Sequence, residues 1–114
     1  KSRKNLYNYF SKNINNTNLQ LPLFGDDEIP NYYSIILKSN RKNFINYLNQ
    51  KKIITNIYYP KPVHQQPALK NVDYIFKSLN NSETISKKIV SIPFFAFMKN
   101  DEKERIVHAI NKYK

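Results

Sequence analysis

Three prolines in one stretch decide how far a strand can run in this chain. Ile53-Ile54-Thr55-Asn56-Ile57-Tyr58-Tyr59 opens with β-branched residues and closes on two tyrosines, the composition of a strand. Pro60, Pro62 and Pro67 then follow within a few residues. None has a backbone N–H to give to a ladder, and each drives the residue before it toward an extended conformation. The expectation is a buried strand that runs into a stiff loop carrying Tyr59, His64, Gln65 and Gln66. Aromatic and hydrogen-bonding groups on such a loop are what the wall of a cleft requires. Many loops of this kind line nothing, and the residues alone leave both readings open.

The rest of the chain supplies a setting for that stretch. Leu6, Phe10 and Ile14 recur every fourth residue, so Lys1 to Ile14 is expected to be a helix with one buried side. Asn13 to Asn18 is a polar break. Leu19 to Phe24 alternates weakly, and Pro22 confines it to an edge or an extended segment. Gly25-Asp26-Asp27-Glu28 reads as a solvated acidic turn. Tyr32 to Lys38 is the clearest strand, apolar enough to be central. Asn40 caps a helix through about Gln50, with Phe44, Ile45 and Leu48 as its buried stripe and Arg41 on its surface. Asn71 to Asn81 offers apolar cover from Val72, Tyr74, Ile75, Phe76 and Leu79 without a clean period. Asn81 or Ser82 is expected to cap a helix through Lys88, with Glu83 at its positive end. Ile89 to Ile92 is a short strand closed by Pro93. Phe94, Phe95, Phe97 and Met98 are core or interface filling. Asn100 caps a last helix that buries Ile106, Val107, Ile110 and Tyr113. The order implies an α+β fold: a small, mostly antiparallel sheet with helices packed on one side.

Self-contained chemistry is missing from this inventory. The chain has no cysteine and only two histidines, so neither a Ser/His/Asp set, a Cys/His pair nor a zinc site is expected. A single glycine, Gly25, excludes a Gly-rich phosphate loop. No apolar run approaches membrane-spanning length. The net charge of +11 favours anionic partners. Its lysines are scattered, arginine is scarce, and Asn and Ile abound, a pattern that an AT-rich coding sequence produces. A basic nucleic-acid module using Tyr32, Tyr33, Tyr58 and Tyr59 as stacking faces is the rival reading, but no glycine-bearing aromatic octamer supports it. The first residue is Lys1, so the chain is expected to be trimmed, processed or cut from something longer.

The segment Lys51-Lys52-Ile53-Ile54-Thr55-Asn56-Ile57-Tyr58-Tyr59-Pro60-Lys61-Pro62-Val63-His64-Gln65-Gln66-Pro67 resembles the DegT-type sugar aminotransferase pattern Lys-Gly-Ile-Gly-Thr-x-x-His-Tyr-Pro-x-Pro-Leu-His-x-Gln-Pro. Other pieces follow in the family's order. Arg3 to Phe10 resembles the helix that enters the C-terminal domain, and Tyr32 to Leu37 its first central strand. Asn40-Arg41-Lys42-Asn43-Phe44 is similar to the Arg-led helix after it. Ser91-Ile92-Pro93-Phe94-Phe95 is similar to the Ser-Leu-Pro segment before the closing helix. The departures are Lys52 and Ile54 in place of glycines, Tyr58 in place of a histidine, and Ala96 in place of a proline.

The resemblance implies a fold like the C-terminal domain of fold-type-I aminotransferases, with residues 1–114 as one domain of a larger enzyme. It implies transfer of an amino group to nucleotide-linked keto-sugars in surface polysaccharide biosynthesis, in the cytoplasm and as a homodimer. It also implies pyridoxal phosphate held by a large N-terminal domain absent from this chain, with an amino-acid donor. No catalytic residue is expected here, and the chain alone is expected to be inactive. Tyr58, Tyr59 and His64 would line the substrate cleft. Against this stand a structural role, with the tyrosines plugging the core and His64 capping a turn, and a third reading in which the chain is an inactive remnant of a split gene.

Overall fold

The computed structural model describes residues 1–73 and 79–114. The elements are α1 (Ser2–Asn13), β1 (Leu19–Gln20), β2 (Tyr33–Leu37), α2 (Arg41–Gln50), α3 (Asn80–Lys88), β3 (Ile89–Ile92) and α4 (Asn100–Lys112). Two single 3₁₀ turns, Val63–Gln65 and Pro67–Leu69, lie between α2 and α3. The expectation of apolar cover from Tyr74, Ile75 and Phe76 falls outside the described residues. Beside them Val72 is exposed rather than covering anything, and Leu79 is half-buried.

The sheet runs β1-β2-β3 with both pairings antiparallel. Tyr33 faces Ile92 and Ile35 faces Val90 across the β2–β3 ladder. Alternation puts Tyr33, Ile35 and Leu37 on one side of β2, all buried, while Ser34 and Ile36 point the other way. Onto the buried side α1 brings Leu6 and Phe10, α2 brings Phe44 and Leu48, and α4 brings Ile106, Val107, Ala109 and Ile110. The α+β layer expected from the sequence is the layer observed. β1 is one edge, kept short and followed by Pro22, which protects an open edge from further pairing.

Rings fix α1 to the sheet. Phe10 meets Tyr33 edge-on at 5.3 Å, and Phe94 closes the group at 6.0 Å from Tyr33. The Tyr33 hydroxyl shares a 3.1 Å hydrogen bond with Ser11 Oγ, so the one polar atom of this buried residue is satisfied. The polar break after α1 fastens the last helix. Asn16 Nδ2 donates to the carbonyls of Ile110 (2.8 Å), which also accepts from Tyr113 N, and of Tyr113 (2.7 Å), at the end of α4.

Helix ends refine the sequence reading. Asn40 caps α2 as expected, its side chain accepting from Asn43 N at 3.1 Å. α4 starts one residue early: Lys99 is the N-cap, Glu102 accepts from Lys99 N at 2.9 Å, and Asn100 is already helical. α3 starts at Asn80, ahead of the expected caps, with Leu79 as N-cap and no side-chain cap bond. α2 ends in a Schellman motif, with Ile53 N bonded to Leu48 O and Lys52 N to Asn49 O, both at 2.9 Å. Ile53 and Leu48 are both buried in the core, the apolar pairing that accompanies this motif. Lys52 therefore occupies the left-handed position, φ 59°, where one glycine of the family pattern would sit.

Two predictions follow from these placements. Replacing Lys52→Gly relieves a side-chain clash of about 1–2 kcal/mol and adds about 0.5–1 kcal/mol of backbone entropy cost. The variant is expected to be more stable in urea by roughly 0.5–1 kcal/mol. Burial pushes the Tyr33 phenol above its ordinary value of 10.0, Tyr7 adds to this, and the Ser11 hydrogen bond opposes it. A phenol whose pKa is raised on folding contributes stability that is fully present below the unfolded pKa and is lost as pH climbs through the folded one. Tyr33→Phe is expected to cost about 1 kcal/mol at neutral pH through the lost hydrogen bond. It should also flatten the loss of melting temperature above pH 10.0, the ordinary tyrosine value.

Candidate functional site

The segment after α2 does not form the expected strand. Ile53 is buried but Ile54 is 74% exposed. Pairing is confined to one bridge, in which Asn56 N donates to Ser91 O (3.0 Å) and Ser91 N donates to Asn56 O (2.7 Å). The outer edge of β3 explains why. In an antiparallel ladder the next rungs would fall two residues away on either side of Ser91. On one side Pro93 has no N–H. On the other, Ile89 N is bonded to Ile85 O at the end of α3, and Ile89 O accepts from Arg41 Nη1 at 3.2 Å. With both rungs closed, the segment peels away from the sheet after Asn56.

What peels away is an aromatic surface. The Tyr58 ring lies 4.4 Å from Tyr32 and 5.6 Å from Tyr59, centroid to centroid. Tyr32 and Tyr58 line a groove of about 370 Å³ with Asn31, Ile54, Asn56 and Phe95. Its floor is the outer side of the sheet, where Ser34 Oγ and Ser91 Oγ share a 2.6 Å hydrogen bond. Tyr59 is 66% exposed and stands with Lys61, Val63 and Ile85 at a second groove of about 270 Å³. His64 belongs to a third, of about 420 Å³, with Pro62, Val63, Leu69, Leu79 and Ser82. The structure thus brings Tyr58 and Tyr59 together and places His64 at the far end of the same loop.

His64 is not open to solvent on all sides. Its side chain is 10% exposed, and Nε2 lies 2.8 Å from Glu83 Oε1. A carboxylate only accepts, so Nε2 carries the proton. The loop around His64 is stiffened by its own backbone, with Gln65 N bonded to Pro62 O (3.0 Å) and Gln66 N to Val63 O (3.1 Å). Gln66 Nε2 also donates back to Lys61 O at 3.0 Å.

Sequence reasoning missed Tyr32 and Glu83 as members of this surface. Tyr32 precedes β2 and reads as part of the strand; its exposure arises because the chain enters the sheet only at Tyr33. Glu83 reads as a charge at a helix start, and only the return of the loop brings His64 to it. Arg41 also differs from expectation. It is half-buried, donating to Ser86 O at 2.5 Å as well as to Ile89 O.

Among the described residues no lysine is buried, and Gly25 lies in an exposed turn. Nor, among them, do three or more His, Asp or Glu side chains gather where a metal would be held. No helix among the described residues is long and apolar enough to cross a membrane.

Known proteins share this fold. The sequence model of the DegT/DnrJ/EryC1/StrS aminotransferase family matches residues 1–111. A dTDP-3-amino-3,6-dideoxy-alpha-D-galactopyranose transaminase of Aneurinibacillus thermoaerophilus is 32% identical over 97% of this chain. The chain spans 30% of that relative's length. S. venezuelae DesV superposes with a TM-score of 0.87 at 20% identity, over 97% of this chain and 30% of DesV. A DegT DnrJ EryC1 StrS aminotransferase from Brucella abortus gives 0.84 at 23% identity, over 96% of this chain and 29% of its own. With the family model spanning nearly every residue, and with the fold shared, this chain belongs to the DegT/DnrJ/EryC1/StrS aminotransferase family.

Proposed function

We propose that this chain is the small, C-terminal domain of a pyridoxal phosphate-dependent aminotransferase acting on nucleotide-linked keto-sugars, and that it closes one side of the substrate cleft. The observation that carries the reading is the surface that Tyr58 and Tyr59, at the start of a proline-stiffened loop, form with Tyr32, in a chain matching under a third of a sugar transaminase. The remaining length of such an enzyme supplies the large domain, with the cofactor-bearing lysine and the phosphate cradle. A homodimer in the cytoplasm, fed by an amino-acid donor and serving surface polysaccharide synthesis, is the setting proposed.

Within that enzyme the cofactor supplies the electron sink for moving the amino group. The residues of this chain do the surrounding work. The exposed faces of Tyr32, Tyr58 and Tyr59 offer stacking area to a flat or ring-shaped group, and their hydroxyls offer hydrogen bonds at the rim. Asn31 and Asn56, beside the same groove, add amide donors and acceptors that fix orientation. The prolines limit how far the loop relaxes when empty, so less order is lost on binding. His64 contributes from the far end of the loop, where it shapes the rim.

In the enzyme in which this chain is joined to its large domain, Tyr59→Ala combined with His64→Ala is expected to lower kcat/KM for the sugar substrate by about tenfold to a hundredfold, the scale of one or two lost substrate contacts. Steady-state kinetics with the amino donor saturating checks this. Unchanged turnover and KM would remove the loop from the cleft.

A further inference from the structure

Helix α3 is held by its ends rather than by its side. Its one buried residue is Ser86, whose hydroxyl donates within the helix to Glu83 O at 2.8 Å. A helix this short, lacking an apolar stripe, draws little stability from propensity alone. At its carboxyl end Arg41, from the start of α2, donates to Ser86 O and Ile89 O. A guanidinium there satisfies carbonyls that the helix leaves open and lies at the negative end of its dipole. At its amino end Glu83 accepts from His64 at 2.8 Å. That bond is partly shielded, with side-chain exposures of 10% for His64 and 35% for Glu83, so water competes for it less than at an open surface.

Among the described residues, the chain from Asn56 to His64 meets other elements at a few named points. It leaves the sheet at the Asn56–Ser91 bridge, lays Tyr58 against the Tyr32 ring, and meets α3 through the hydrogen bond of His64 to Glu83. We propose that Glu83 is a positioning residue: through His64 it fixes where the turns at 63–69 sit against α3, and Arg41 fixes where α3 sits against α2. Glu83 reaches neither Tyr32 nor Tyr58, yet it sets one end of the span that presents Tyr59. The hold on the loop stands on the distances above; its effect on catalysis rests on the cleft reading proposed for Tyr58, Tyr59 and His64.

Two measurements on Glu83→Ala and Glu83→Gln test this and separate the two parts. The first is ¹⁵N relaxation of this chain. In Glu83→Ala the order parameters of Gln65, Gln66 and Leu69 are expected to fall from about 0.85 to below about 0.6, while those of Ile35 and Leu37 stay rigid. Glu83→Gln, whose amide oxygen still accepts from Nε2, is expected to restore them. If Glu83→Ala does not fold, His64→Phe removes the same bond from the loop side and is expected to loosen the same amides. Loop amides that stay rigid in whichever variant folds overturn the proposal. The second is kinetics of the full-length enzyme, where Glu83→Ala is expected to raise KM for the sugar substrate about tenfold at unchanged kcat, the size of one charge-assisted hydrogen bond, with rescue by Gln. A loosened loop with an unmoved KM leaves Glu83 as the loop's anchor and removes the loop from the cleft.

Discussion

The outer edge of β3 offers a single rung. Ser91 exchanges both backbone hydrogen bonds with Asn56, Ile89 is taken up by the end of α3 and by Arg41, and Pro93 has no N–H to give. Each closure has a different cause: a helix that runs directly into a strand, a side chain from the next helix over, and an imino acid. Together they decide that the segment after α2 touches the sheet once and then leaves it. The exposed aromatic surface exists because of that departure. Had the segment paired along its length, Tyr58 would be a strand residue held within the ladder instead of stacking on Tyr32.

The two sides of the sheet divide the labour. On the inner side, Tyr33, Ile35, Leu37, Val90 and Ile92 meet three helices in one continuous apolar core. The outer side carries Ser34 and Ser91, bonded to each other, and the groove over them. Burying the Ser91 hydroxyl costs little when the half-buried Ser34 hydroxyl satisfies it, and it leaves a surface on which a polar ligand need not displace an apolar contact. The ties on this side are polar: Arg41 on carbonyls, His64 on Glu83, Gln66 on Lys61. Interactions of that kind are directional, and they define positions more than they add bulk stability.

The inner side was legible in the sequence because it is written in periods. The fourfold spacing of Leu6, Phe10 and Ile14 and the stripe of Ile106, Val107 and Ile110 each name an element and the face it buries, and the near-continuous apolar run from Tyr32 to Lys38 names the central strand. The outer side was not, because it depends on meetings between distant residues. The β-branched run Ile53–Ile57 has the composition of a strand, and nothing local to it reveals that its partner's edge is occupied. Arg41 reads as a surface arginine until the end of α3 comes back to it. The left-handed backbone at Lys52 became visible only where the family pattern holds a glycine; Phe97 adopts the same conformation at φ 64°, 87% exposed, with no such warning in its own residues.

The stretch from Asn56 to His64 is clamped at both ends, by a backbone bridge on the sheet and by a side-chain tie to α3. A strip of chain held this way behaves like a beam with two fixed supports. It neither swings as a flap nor frays from one end. Its remaining freedom is to bow, and with Tyr58 resting on the Tyr32 ring the amplitude of a bow is greatest beyond that contact, at Tyr59 and Pro60. Such a strip yields a short way to whatever presses on it and returns to the same place afterwards, a mechanical property closer to that of a leaf spring than of a lid.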